Sequence, residues 1–272
     1  ERMKGIRFSE ETIKKNNNYI QQGLRISRDG SNLGFIVYWA DIVEMLGTEY
    51  AVKDAVGYIE SMVQTHLDFR LDYSPVLDWD KAKGLLRCKM VNFERNKERL
   101  YHCPHVRYLD LAQMYYLQWE LSGYGTATAE VNDGLVEKWG VTEGTVVILA
   151  QQNMENVKYR VEKAPDILDD MGRALIDAES SVYTLRSNTT FGAAIITNPG
   201  LVGKLTEGMG NLYILPFSVC RLLLLPDNGK VKAEMLRNIM QQANQRLTKE
   251  NEFLSDHVYH YHRGTETISV IA

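Results

Sequence analysis

Histidine, cysteine and serine gather at three places in this chain. His102-Cys103-Pro104-His105 sets two imidazoles beside a thiol, and His257, His260 and His262 follow near the C-terminal end. Imidazole nitrogen and thiolate sulfur are the ligand types of zinc. If the last stretch is a strand, His260 and His262 share one face and His257 points away. Two ligands from one strand would still need His105 and Cys103 from elsewhere. A zinc signal is specific when closely paired ligands occur at both ends. The reading is therefore no metal, with His105, His260 and His262 as the alternative. Ser218 and Cys220 alternate after Pro216. As nucleophiles they lack an identifiable base, so they read as structural.

A basic stripe is the second constellation. Lys81, Lys83, Arg87, Lys89, Arg95, Lys97 and Arg99 all fall at odd positions. On a strand, Arg87 and Lys89 would share a face, with Phe93 and Tyr101 near by. Cations for phosphate plus rings for bases is how single-stranded nucleic acid is held. Glu94 and Glu98 interrupt the stripe and the net charge is −4, which disfavours a nucleic-acid footprint for the whole chain. The competing reading is an edge strand guarded by charge. Carboxylates at Asp68, Asp72, Asp78 and Asp80 lie around Ser74-Pro75, without the glycine of a calcium loop, and read as caps. Gly203 and Gly208 have phosphate-loop spacing, but Met209-Gly210 stand where Lys-Ser/Thr is needed.

These side chains must be positioned by ordinary globular elements. The chain has 272 residues, 44% hydrophobic and 24% charged. Apolar runs such as Phe35 to Ala40 and Leu222 to Leu225 are strand-sized, far short of the ~20 residues of a membrane helix. Three cysteines, scattered, give no disulfide framework and fit a reducing cytoplasm. Strands are expected at 23–27, 34–40, 85–93, 108–120, 126–131, 182–185 and 191–197. Asn211 to Gly229 adds two more, broken at Pro216, with the turn Asp227-Asn228-Gly229 after them. A hairpin over 258–271 closes the set. Helices are expected from Val52 to His66, after Thr142, after Asn198-Pro199, and from Val231 to Leu247, each on its apolar spacing. Strands come in pairs beside helices, so the fold class is α+β with antiparallel sheets. Charge and turn residues between Glu162 and Ser181 place a boundary there, giving two lobes, 1–163 and 164–272, each a mainly antiparallel sheet packed with helices.

Several segments carry a resemblance. Asn16-Asn17 with Gly23-Leu24, Pro104-His105-Val106-Arg107-Tyr108-Leu109-Asp110-Leu111, and Trp139-Gly140-Val141 come first. Phe191-Gly192-Ala193-Ala194 with Pro199-Gly200, Tyr213-Ile214-Leu215-Pro216, Leu225-Pro226 and Leu254-Ser255-Asp256-His257-Val258-Tyr259 follow in order. Over nearly its whole length the chain resembles domain of unknown function 5688, a bacterial family of gut Clostridia. The resemblance implies a bacterial cytoplasmic protein with a further helix upstream, and supplies no catalytic residues. Relatives often read Ser-Ser-x-His-Glu where this chain has Phe217, Ser218, Val219, Cys220 and Arg221; only Ser218 survives.

The functional expectation is a non-catalytic binding or protein-interaction module with a protein partner and no cofactor, the oligomeric state left open. Its candidate binding residues are Arg87, Lys89, Arg95, Tyr115, Trp119 and Ser218, since Tyr and Trp favour interfaces. The alternatives are a hydrolase or nuclease with an unrecognised site, or nucleic-acid binding through the stripe.

Overall fold

The computed structural model describes residues 5–29, 34–47, 49, 51–66, 72–121, 125–164 and 181–272. Residues 30–33 between the first two expected strands, residues 122–124, the Asp68 carboxylate and the charged stretch 165–180 lie outside the described residues. The chain divides into two compact units, Glu1–Tyr73 and Ser74–Ala272.

In the first unit, β1 (Ile6–Lys14), β2 (Ile20–Arg28) and β3 (Gly34–Tyr38) form an antiparallel sheet in that order. β1 is not visible in the sequence pattern. Its residues are polar and mostly exposed, so no buried face imposes an alternation. Asn17 and Asn18 turn β1 into β2 with φ of 60° and 58°, the left-handed region asparagine tolerates best after glycine. Helices α1 (Trp39–Leu46) and α2 (Val52–His66) supply Ile42 and Val63, which pack on Ile26 and Val37. The expected stripe of α2 is only half used: Val63 is buried, whereas Val52 and Val56 face solvent.

The second unit opens with short helices α3 (Ser74–Leu77) and α4 (Trp79–Ala82), where the sequence reads as loop. Asp78 caps α4 by accepting from the Asp80 N–H at 3.0 Å. A four-stranded sheet follows, from β4 (Leu86–Asn92), β5 (His105–Tyr108), β6 (Leu111–Leu121) and β7 (Gly125–Glu130). β6 is its spine, pairing with β4 and also with β5 and β7. Helices α5 (Lys97–Leu100), α6 (Asp133–Trp139) and α7 (Glu143–Met154) complete this part. Thr142 caps α7 at the Thr145 N–H, and Val146, Ala150 and Met154 are buried.

The other sheet has six strands, β8 (Tyr159–Lys163), β9 (Tyr183–Ser187), β10 (Leu212–Ser218), β11 (Arg221–Pro226), β12 (Tyr259–His262) and β13 (Thr267–Val270). Their order is β13-β12-β10-β11-β9-β8, with antiparallel ladders. This sheet crosses the division expected after residue 163: β8 pairs with β9, and the Ala164 N–H donates to the Val182 carbonyl at 2.9 Å. The polar stretch that reads as an interlobe linker therefore lies between two paired strands, and the division between compact units falls instead between Tyr73 and Ser74.

β10 explains the apolar run around residue 214. Leu212 and Ile214 belong to a core shared with Met90, Leu111 and Tyr115 of the four-stranded sheet and Val146 of α7. Tyr213, Leu215 and Phe217 face the opposite way, against Leu236, Ile239 and Met240 of the last helix, Ala233–Leu247. A strand buried on both faces needs no alternation. Pro216 sits where the β10–β11 register shifts, which spares the ladder a missing donor.

Residues 191–197 are a correction. They form a 3-10 helix, Gly192–Thr197, and not a strand, because an Ala/Ile run buried all round carries no readable period. A Cβ on Gly192 would lie 2.5 Å from the Cys220 carbonyl oxygen, so only glycine lets this turn reach the β10–β11 connection. Helix α8 (Pro199–Leu205) follows, capped by Asn198, and Ala233–Leu247 is α9. The observed architecture is α+β, with antiparallel sheets packed by helices. Among the described residues no helix is long and apolar enough to cross a membrane.

Candidate functional site

The side chains that converge are Asp110, Ser255, His257 and Tyr259. Asp110 is the second residue of a two-residue turn between β5 and β6, whose strands pair Tyr108 with Leu111. Leu109, the first, has φ of 57°, a conformation such turns normally give to glycine. A non-glycine residue there costs about 1 kcal/mol or more and persists only where surroundings over-determine it. Here the Phe93 N–H donates to the Asp110 carbonyl at 3.2 Å, and Arg107 Nε donates to the Leu109 carbonyl at 3.4 Å. The strained turn holds the Asp110 carboxylate at the end of the hairpin.

The other three residues come from the segment entering β12. Asn92, at the end of β4, donates to the Leu254 carbonyl at 3.0 Å. Asn244 of α9 donates to the Ser255 carbonyl at 3.1 Å and to Asp256 Oδ1 at 2.8 Å. A strand of the four-stranded sheet and helix α9 thus clamp residues 254–256, and Ser255 is 1% exposed.

The geometry assigns the protons. Ser255 Oγ donates to Asp110 Oδ2 at 2.7 Å, and Tyr259 Oη donates to Oδ1 at 2.5 Å. His257 Nδ1 lies 3.0 Å from Asp110 Oδ2 and 3.1 Å from Ser255 Oγ, whose lone pair also accepts the His257 N–H at 3.0 Å. A carboxylate only accepts, so the network assigns the imidazole proton to Nδ1. In the neutral ring the lone pair then falls on Nε2, which has no protein partner among the described residues. The His257 side chain is 38% exposed and that of Asp110 24%. Burial, reinforced by the carboxylate beside it, pushes the Tyr259 hydroxyl far above the usual range, so it stays a donor.

This is not a nucleophilic triad. In that arrangement serine and aspartate occupy opposite nitrogens of the imidazole. Here both meet Nδ1, and the buried Ser255 gives its proton to Asp110. Ser255 and Tyr259 orient the carboxylate, the carboxylate orients the ring, and the ring offers one basic nitrogen. Such a pair can accept a hydrogen bond or a proton from a ligand. Two arginines stack on rings close by in sequence: the Arg107 guanidinium, three residues before Asp110, lies 4.5 Å from the Phe93 ring centre, and that of Arg95 lies 3.9 Å from the ring of Phe253, two residues before Ser255. Among the described residues no carboxylate pairs with Arg107, whereas Arg95 lies 3.9 Å from Glu250.

None of the candidate binding residues singled out from the sequence is a member of this cluster. Arg87 donates to the Gly84 and Leu86 carbonyls at 3.0 and 2.7 Å. Lys89 is buried on Glu130, which Arg99 also grips, at 2.8 and 2.5 Å. Burial lowers the Lys89 ammonium against the pull of Glu130. Burial raises Glu130 too, but Lys89 and Arg99 overcome it and hold the carboxyl low. Lys83 pairs with Asp80 and Lys97 with Glu94, at 2.7 and 2.6 Å. The stripe is therefore two short helices, a strand and two 3-10 turns whose cations are mostly neutralised in place, and not one strand face. Tyr115 is fully buried and Trp119 partly so, both in the core. Ser218 is buried and accepts from the Cys220 N–H at 3.2 Å.

The alternative of His105 with His260 and His262 does not assemble. His105 Nδ1 meets the Cys103 carbonyl at 2.9 Å in the four-stranded sheet, and His260 Nε2 meets Asp227 at 2.9 Å in the six-stranded one. His262 stacks edge-on against His260, ring centres 4.3 Å apart. Among the described residues no three His, Cys, Asp or Glu side chains are grouped to hold a metal. Burial pushes the thiols of Cys88 and Cys103 up to about 12 and that of Cys220 to about 11.

Residues 2–263 match the family described as Family of unknown function (DUF5688). The chain belongs to DUF5688. No curated protein and no solved structure matches it. Sequence reasoning missed the cluster, although its parts lay in two DUF5688-like motifs, Pro104 to Leu111 and Leu254 to Tyr259. What was missing was the fold that brings the second motif onto the first.

Proposed function

We propose that this DUF5688 chain is a bacterial, cytoplasmic binding module whose recognition point is His257 Nε2. One observation carries the reading: Asp110 spends both carboxylate oxygens on Ser255, His257 and Tyr259, so the imidazole is fixed with one nitrogen left over. A ligand or partner presenting an O–H or N–H donor fits that acceptor, and Arg107 favours an acidic group beside it. The test is capture from the native cytoplasm with the wild-type chain and with His257→Ala as baits, followed by mass spectrometry of proteins and small molecules. A species retained by the wild type and lost from the folded variant is expected. Identical recoveries from both would overturn the reading.

A second reading, hydrolysis by general-base activation of water, is favoured by the same fixed tautomer. It requires ester or phosphodiester turnover that disappears in His257→Ala and persists in Ser255→Ala, since Ser255 is not placed as a nucleophile.

A further inference from the structure

The first unit carries a hollow of about 200 Å³ between β3 and the two helices, lined by Phe35, Asp41, Tyr58, Met62 and His66 among others. Its walls are rings and a thioether: Phe35 and His66 stand 5.7 Å apart, tilted by 57°. Its polar groups are unused. Among the described residues nothing pairs with the Asp41 carboxylate, the Tyr58 hydroxyl or the His66 ring nitrogens. Aromatic rings and a single carboxylate around a small concavity favour a cation that is weakly hydrated, because ring quadrupoles attract it and the carboxylate supplies the opposite charge. The volume excludes a drug-sized ligand, for which about 300 Å³ is the lower bound.

We infer that this hollow is a binding site for an alkylammonium group, with Asp41 as counter-ion and Phe35 and Tyr58 as the ring walls. It lies in the first unit and stands independently of the reading given to His257. A compact quaternary or protonated amine, free or at the end of a longer molecule, is the class that fits.

The test uses the whole chain with its methionine methyls labelled with carbon-13, the Met62 signal assigned through Met62→Leu. Three probes are titrated: choline, its neutral carbon isostere 3,3-dimethyl-1-butanol, and butylamine. The expected result is a saturable shift of Met62 with choline or butylamine, and an affinity for the neutral isostere lower by about tenfold or more. Whichever ammonium binds tighter tells a quaternary site from a primary-amine site. Asp41→Asn should weaken the ammonium probes and leave the other methionine signals in place, which keeps loss of fold distinguishable. Equal shifts with the neutral isostere, no saturable shift with either amine, or an unchanged affinity in Asp41→Asn would overturn the proposal.

Discussion

Asp110 and His257 are 147 positions apart in the chain, and the carboxylate Oδ2 of one lies 3.0 Å from the imidazole Nδ1 of the other. The hairpin of one sheet and the lead-in to an inner strand of another meet at that hydrogen bond. The same carboxylate takes the Ser255 and Tyr259 hydroxyls, so a single side chain ties together two pieces of the core and orients the one imidazole it touches.

Replacing Asp110 by Asn should cost about 2–4 kcal/mol, because two hydroxyl donors and an imidazole N–H then share one neutral acceptor. Tyr259→Phe should cost about 1–2 kcal/mol, and the two changes together less than their sum, since they remove the same bond. Urea unfolding of the single and double variants checks this.

Glu130 gives a pH signature. Its folded pKa lies below the ordinary 4.5. The unfolded chain therefore takes up its proton first as pH falls. The contribution is complete above about pH 4.5 and is lost as pH drops through the lower folded value. Glu130→Gln leaves Lys89 buried without its counter-charge and should cost about 3–5 kcal/mol at pH 7. The gap between wild type and variant should hold steady from pH 8 to 5.5 and shrink below 4.5, read from denaturation midpoints across that range.

The three thiols should be silent in the native state. Their pKa values, about 12 for Cys88 and Cys103 and about 11 for Cys220, leave almost no thiolate at pH 8. A chromogenic disulfide reagent should titrate none rapidly in buffer and all three in denaturant. Fast reaction of one native thiol would mean that its surroundings are more open than described.

Nucleic acid should not bind through residues 81–99. Lys83, Lys89, Lys97 and Arg99 already face Asp80, Glu130 and Glu94. Fluorescence anisotropy with a labelled single-stranded oligonucleotide should show no affinity that falls steeply between 50 and 200 mM salt, the mark of phosphate contacts.

What the sequence discloses follows from how far each signal reaches. α7 is legible because Thr142, Val146, Ala150 and Met154 carry cap and stripe within one helix. The β10–β11 pair is legible as two apolar runs closed by Asp227-Asn228-Gly229, but its break is not: β10 runs through Pro216 to Ser218, and the connection falls at Val219-Cys220. The 3-10 turn at Gly192–Thr197 is not, since its direction is set by Gly192 pressing on the Cys220 carbonyl, a contact made across the fold. The Asp110 cluster is illegible for the same reason. Each member sits in a visible motif, but the bond between motifs depends on Asn92 and Asn244 holding residues 254–256 in place.

The central claim is that Asp110 fixes the His257 ring with its proton on Nδ1 and leaves Nε2 basic. Long-range proton–nitrogen correlation of the imidazole in the intact protein, at a pH where the ring is neutral, measures this directly. The account predicts a pyrrole-type Nδ1 and a pyridine-type Nε2, with Asp110→Asn blurring the distinction. A His257 that carries its proton on Nε2, or exchanges freely between the two nitrogens in the wild type, would contradict it.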